Sequence, residues 1–205
     1  MIKNSVFDWS GTLQDDLKPV YQATMRVLAR LGGPTMSLQQ YRREFELPYT
    51  KFYWKYVKAT REELDALFAE EFSSEKLTRV FKNADKVLEK LHENNVRMTI
   101  LSAHNKKFLE EEVRRACFGG FFNEVKGSVH DKRLEIKEMM RKNAFAANET
   151  AYVGDMVHDI ETARAAGVKA IAVSWGYTPR NLLEQAKPDW LVDEWNELEN
   201  AFGCD

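Results

Sequence analysis

The chain has 205 residues, 44% of them hydrophobic and 30% charged, which places it among folded globular proteins and excludes disorder as its default state. Its formal net charge of −2 lacks the basic field that a general nucleic-acid or membrane-surface binder needs. Two cysteines, Cys117 and Cys204, have no metal-ligand spacing, no apolar run approaches a membrane span, and the N-terminus runs straight into a strand pattern. The expectation is a cytoplasmic protein with reduced thiols, without a nucleic-acid or membrane partner, acting as a monomer or homodimer.

Ser5-Val6-Phe7 is a strand-favouring run that ends in Asp8, and the Gly11-Thr12 pair breaks it. A helix is expected from about Pro19, carrying Val20, Met25, Val27, Leu28 and Leu31 and closing at Gly32-Gly33-Pro34. From Ser37 to about Thr78 the pattern is helical and charged, with no strand signal. Its middle is dense in aromatics: Tyr41, Phe45, Tyr49, Phe52, Tyr53, Trp54 and Tyr56. A small domain's own core explains these rings more simply than a ligand does.

A strand–helix alternation then begins. Helices are expected over Asn83–Asn95, Lys106–Phe118, Lys132–Phe145 and Val157–Ala166, and strands over Val96–Leu101, Asn123–Lys126, Thr150–Val153 and Val168–Ser174. A last helix pair surrounds a short strand at Trp190–Val192. This rhythm predicts an α/β fold, a doubly wound parallel sheet with helices on both faces. The first strand belongs to that sheet. Residues 1–14 and 80–205 are therefore expected to form a Rossmann-like core, and residues 15–79 an inserted α-helical cap.

Three strands end in polar chemistry: Asp8 after the first, Ser102 after the second, and Asp155 after a later one, with Asp159 four residues on. Asp155 and Asp159 share one helix face, where like charges repel unless a cation lies near them. The alternative is that both merely favour the positive end of the following helix. Asp8 and Asp155 at the carboxyl ends of parallel strands offer an oxygen-rich site that suits Mg²⁺. The Ser102 hydroxyl, Lys132 at a helix start and the backbone N–H groups around Gly11-Thr12 suit phosphoryl oxygens.

In their order and spacing these segments resemble the haloacid dehalogenase superfamily, in particular its phosphoglycolate-phosphatase-like members with a small helical cap. Asp8-Trp9-Ser10-Gly11-Thr12 stands where that family has Asp-x-Asp-Gly-Thr. Ser102 matches the second motif. Lys132 best matches the third, with Lys137 as the alternative, and Gly154-Asp155-Met156-Val157-His158-Asp159 completes the fourth. Ser174-Trp175-Gly176-Tyr177 resembles the loop that follows. The resemblance implies a Mg²⁺-dependent hydrolase of a small phosphorylated substrate, in which Asp8 attacks phosphorus to give an aspartyl-phosphate. It further implies that Asp8, the Ser10 carbonyl and Asp155 hold the metal, while Asp159 positions Lys132 or a metal-bound water. Thr12, Ser102 and Lys132 would neutralise the phosphoryl group, with Gly11 and Ala103 beside them and Arg42 and Tyr49 of the cap meeting the substrate.

One departure matters. The family's second aspartate, which protonates the leaving group and then activates water, is Ser10 here, and a hydroxyl does not titrate near neutral pH. Good leaving groups would tolerate the loss, or His104 or His158 would supply the proton. The Asp-Trp-Ser run also resembles the family's phosphonate hydrolases, which need an imine-forming cap lysine; Lys51, Lys55 and Lys58 are the available ones. A weakly catalytic phospholigand-binding protein is the third reading. Metal-free dehalogenation fits less well, because the acidic fourth motif is intact.

Overall fold

The computed structural model describes residues 1–73, 79–129 and 131–204. In chain order, β1 (Asn4–Phe7) and a two-residue strand β2 (Gln14–Asp15) lead into helices α1 (Leu17–Arg30), α2 (Leu38–Glu44), α3 (Tyr49–Trp54) and α4 (Arg61–Ser73). A second short strand, β3 (Arg79–Val80), precedes α5 (Ala84–Glu93), β4 (Arg97–Leu101), α6 (Lys106–Arg115), β5 (Phe122–Lys126) and α7 (Lys132–Lys142). The chain ends with β6 (Thr150–Gly154), α8 (Val157–Ala166), β7 (Lys169–Val173), α9 (Arg180–Gln185), β8 (Trp190–Val192) and α10 (Trp195–Phe202). The tail of the helical stretch read from the sequence, residues 74–78, lies outside the described residues.

Six strands form one parallel sheet in the order β5-β4-β1-β6-β7-β8. Successive strand residues point to opposite faces, so the two sides of the sheet carry different cores. Phe7, Ile100, Val153 and Ile171 pack with Leu88, Leu91 and Leu109 from α5 and α6. Val6, Leu101, Tyr152 and Ala172 pack with Ile136, Met139 and Ile160 from α7 and α8. Each such aliphatic side chain removed from water contributes about 1.5–3 kcal/mol before the entropy of ordering is subtracted.

Helices α1–α4 share a third core of Val27, Leu28, Tyr41, Phe52, Tyr53 and Leu64, against which Met156 and Tyr177 pack from the sheet side. Tyr41, Phe52 and Tyr53 of the aromatic run are thus core residues, whereas Trp54 is exposed. The first helix begins two residues before Pro19, which falls within its first turn, where a missing N–H breaks no helical bond. The antiparallel pair β2–β3, with Gln14 opposite Val80 and Asp15 opposite Arg79, was not expected. Two residues per strand are too few for a period-2 pattern to register. No helix among the described residues is long and apolar enough to cross a membrane.

Register places the site. Phe7 pairs with Ile100 on one side and with Val153 on the other, so Asp8, Ser102 and Asp155 leave three adjacent strands at the same end of the sheet. The strand order reverses beside β1, which opens a crevice there.

Candidate active site

Asp8 is held at the end of β1 by its own chain: Asp8 N donates to Val153 O at 2.9 Å, and Trp9 N donates to Asp8 Oδ1 at 2.7 Å. The loop beyond is a tight knot in which Thr12 N, Leu13 N and Gln14 N all donate to Trp9 O. Gly11 sits there with φ of +73°, and a Cβ on it would fall 2.5 Å from Asp155 Oδ2. Only glycine meets both demands.

Lys132 opens α7, whose N-cap Asp131 accepts from Arg133 N. Its side chain is fully buried, and Nζ lies 2.7 Å from Asp8 Oδ2 and 2.8 Å from Asp159 Oδ1. Burial works against the ammonium, but the charges of Asp159 and Asp8 outweigh it and hold Lys132 above its ordinary pKa. Asp159 turns its second oxygen to Met156 N at 2.9 Å, so it both caps α8 and aims the lysine. Asp155 Oδ1 accepts from Thr12 Oγ1 at 2.9 Å and Oδ2 from Tyr177 N at 2.6 Å. Asp8, Asp155 and Asp159 each present an oxygen within 4.8 Å of the others. Burial pushes the carboxyls of Asp8 and Asp155 up; Lys132 opposes the rise at Asp8, and the Asp8 and Asp159 charges add to it at Asp155. One buried lysine does not balance three buried acids.

A cavity of about 700 Å³ opens above Asp8, with Ser10, Ser102, Ala103, His104 and Tyr49 on its wall. Phe45, Leu47, Tyr53, Leu64, Phe68 and Phe72 make most of the rest apolar, and Arg61 and Arg115 are its cations. Tyr49 donates its hydroxyl to Asp65. Ser102 Oγ accepts from His104 N at 3.3 Å.

Other expected site residues stand differently. Arg42 is not on the cavity wall: its guanidinium donates to the carbonyls of Gly176 at 2.8 Å and Tyr177 at 3.1 Å, fastening α2 to the loop that holds Asp155. The Gly11 N–H is taken by Gln14 O and Asp16 Oδ1, and Thr12 N–H by Trp9 O, so neither points freely at a phosphoryl oxygen. The Thr12 hydroxyl orients Asp155 instead. Lys137 is exposed, which leaves Lys132 as the site's lysine. His158 is buried, and burial, with Lys132 nearby, pushes it down to about 4. Lys51, Lys55 and Lys58 are exposed, and none lines the cavity.

Three residues of the site are given no role by the motifs. Asp16, at the foot of α1, is buried with Oδ1 accepting from Gly11 N at 3.0 Å and Tyr177 OH at 3.1 Å, while Oδ2 finds no well-formed hydrogen bond. Burial pushes its carboxyl up to about 6, against the charge of His104 and the hydroxyls of Ser10 and Tyr177. Glu112 on α6 is buried and accepts from Trp9 Nε1 at 2.8 Å, with His104 Nε2 at 3.2 Å from the same oxygen. The available clue to Glu112 is its place between Leu109 and Val113 on the buried face of α6. Tyr177 links Asp155 to Asp16, and only its position in the loop after β7 hints at this.

A family model for haloacid dehalogenase-like hydrolases matches residues 5–173. A phosphoglycolate phosphatase of Synechococcus elongatus is 28% identical over 125 residues, covering 60% of this chain and 59% of that protein. Another phosphoglycolate phosphatase, from Vibrio parahaemolyticus, is 24% identical and covers 96% of this chain and 94% of its own. A solved haloacid dehalogenase-like family hydrolase from Streptococcus pneumoniae superposes with a TM-score of 0.84 at 19% identity, covering 98% of each chain. The likeness to that structure is one of fold.

Proposed function

The chain belongs to the haloacid dehalogenase-like hydrolases, and from that premise we propose that it is a Mg²⁺-dependent phosphatase working through an aspartyl-phosphate on Asp8. The observation that carries this reading is the convergence of Asp8, Asp155 and Asp159 on one point, with Lys132 bridging Asp8 and Asp159, beneath an apolar cavity that Asp8 lines. The donors fit Mg²⁺. They are hard oxygens, Asp155 is raised well above a normal carboxylate in the absence of a cation, and the Ser10 carbonyl accepts no hydrogen bond from any described residue although Trp9 O beside it accepts three. Asp8, Asp155 and the Ser10 carbonyl would hold the ion, which when bound neutralises charge on the phosphoryl oxygens.

The chain's own groups do the rest. Lys132 keeps Asp8 ionised and aimed, the Asp8 carboxylate attacks phosphorus, and the Ser102 hydroxyl at the end of β4 meets a phosphoryl oxygen. Helices α1–α4 act as the cap, and their aromatic wall takes the organic part of the substrate. Phosphoglycolate, the substrate in the names of the two relatives, is small and carries two anionic groups. A cavity of about 700 Å³ lined by Phe45, Leu47, Phe68 and Phe72 favours instead a monoester whose alcohol has an aromatic or bulky apolar body. Among the described residues no lysine lines the cavity, so phosphonate cleavage through a cap imine draws no support.

The test is a turnover panel with Mg²⁺: phosphoglycolate, benzyl phosphate, 4-nitrophenyl phosphate and phosphonoacetaldehyde. Preferred hydrolysis of the two aromatic esters, lost on chelation and in Asp8→Asn, is the expected result. Ester turnover that survives Asp8→Asn would refute the aspartyl-phosphate route.

A further inference from the structure

With Ser10 in place of the usual acid, some other group must move the leaving-group proton. Three titratable groups around the site are candidates. Asp16 is absent from the cavity wall, and its Oδ1 is occupied by Gly11 N and Tyr177 OH. His158 is also absent from the wall. His104 differs from both: it lies on the wall with Asp8, Ser10 and Ser102, three residues beyond the end of β4. Its side chain is 15% exposed. Nε2 is buried and lies at an ion-pair distance of 3.2 Å from Glu112 Oε2 without forming a well-aligned hydrogen bond in this structure, whereas Nδ1, which also has no hydrogen-bond partner among the described residues, is not among the buried unpartnered atoms.

We propose that His104 is the proton carrier of this hydrolase, and that Glu112, fixed by the Trp9 indole, is the residue that positions and charges it. The proposal rests on the phosphatase reading above. It gives a reason for the Asp8-Trp9-Ser10 run: Trp9 N holds the Asp8 carboxylate while Trp9 Nε1 holds Glu112 at 2.8 Å. One residue thereby ties the nucleophile to the proton-transfer pair. As the Asp8–phosphorus bond forms and the bridging phosphorus–oxygen bond breaks, the departing oxygen keeps the electron pair and takes the proton from His104. Neutral His104 then accepts a proton from the water that attacks the aspartyl-phosphate, which frees Asp8 and inorganic phosphate and restores the imidazolium.

The charge environment supports the role. Burial opposes the imidazolium, but Glu112, by contact and charge, and then Asp16 and Asp8 outweigh it and raise His104 above its ordinary value. The other charged groups lining the cavity are Glu111 and Arg115 of α6, the latter with Nη2 4.0 Å from Glu112 Oε1, and Arg61 and Asp65 of α4. A histidine raised in this way keeps its proton to a higher pH than a free imidazole does, as a general acid requires.

The experiment compares benzyl phosphate and 4-nitrophenyl phosphate, which are similar in shape but differ in whether the leaving oxygen needs a proton. In His104→Gln, kcat/KM for the benzyl ester is expected to fall about a hundredfold or more, and for the nitrophenyl ester only a few-fold. Imidazole added to His104→Ala should restore part of the benzyl rate. Glu112→Gln, which keeps an acceptor for Trp9, should move the alkaline limb of the benzyl pH profile to lower pH. It also serves where the His104 variants fold poorly. Equal losses on both esters, or no loss on either, overturn the assignment while leaving the hydrolase reading intact. Wild-type protein that hydrolyses neither ester overturns both.

Discussion

Replacing Lys132 with methionine isolates the electrostatics of the site from its packing, because methionine keeps an unbranched apolar stem in a position that is fully buried. The substitution removes two contacts, at 2.7 Å to Asp8 and 2.8 Å to Asp159, and leaves three buried carboxylates without their cation. Breaking a buried pair from one side costs about 3–5 kcal/mol, since the remaining charge is uncompensated. For a chain of this length that is a drop in Tm of roughly 6–20 °C. The sign with pH follows from proton uptake. Asp8 and Asp155 already sit above their ordinary values, and losing Lys132 raises Asp8 further, so the folded variant binds more protons than its unfolded chain. Its deficit against wild type is therefore smaller at lower pH and widens as pH rises toward those folded values. Thermal melts of both proteins in EDTA at pH 5.0 and 7.5 measure it. A loss below about 1 kcal/mol at pH 7.5, or an equal loss at both pH values, would refute the claim that Lys132 compensates these acids.

Mg²⁺ should stabilise the protein by about 3 kcal/mol at a hundredfold excess over its Kd, and Asp155→Asn should lose most of that gain; an unchanged Mg²⁺ isotherm by calorimetry would remove Asp155 from the metal site. Asp16 behaves in the opposite sense from a salt-bridged acid. Its folded value of about 6 against 3.8 means a cost that is absent below about pH 4, grows through pH 6 and reaches about 3 kcal/mol above it. Asp16→Asn, which keeps an acceptor for Gly11 N and Tyr177 OH, should thus melt higher than wild type at pH 7.5 in EDTA and equally at pH 4; destabilisation at both would show that the carboxylate is needed structurally. Gly11→Ala meets both a positive φ and a 2.5 Å approach to Asp155, so it should impair Mg²⁺ binding even where a far-ultraviolet spectrum shows a folded chain.

The sheet was legible because each of its strands is bounded by a helix or a turn signal, and because a carboxylate at a strand end is a local feature. Lys132 was legible for the same reason, as a lysine at a helix start, and the register of β1 with β4 and β6 then brings Asp8, Ser102 and Asp155 to one edge. What stayed hidden depends on contacts between distant segments. Arg42 reads as a substrate-facing cation, but 134 residues on, the carbonyl of Gly176 takes it. Gly11 and Thr12 read as a phosphate cradle, but the loop closes on itself and occupies their N–H groups. Glu112 reads as one of three consecutive glutamates on a surface helix until the indole of Trp9, 103 residues earlier, accounts for its burial.

Position 10 shows how such hidden contacts change the chemistry inferred from a motif. Taken alone, a serine there removes the titratable group and predicts a crippled enzyme, with about 10²–10⁴ of rate missing. The structure places ionisable groups around that gap: Asp16 behind the loop and the His104–Glu112 pair on the cavity side, joined electrostatically to each other. A negative charge at position 10 would add to Asp8, Asp16 and Glu112 in one buried region that has few cations to offset it. Restoring the carboxylate by Ser10→Asp therefore tests the arrangement as a whole. If His104 already carries the proton, the variant gains little on benzyl phosphate and loses stability at pH 7.5 through crowding with Asp16. If the site lacks an acid, the same substitution raises benzyl ester turnover by a hundredfold or more, on the order expected of a general acid.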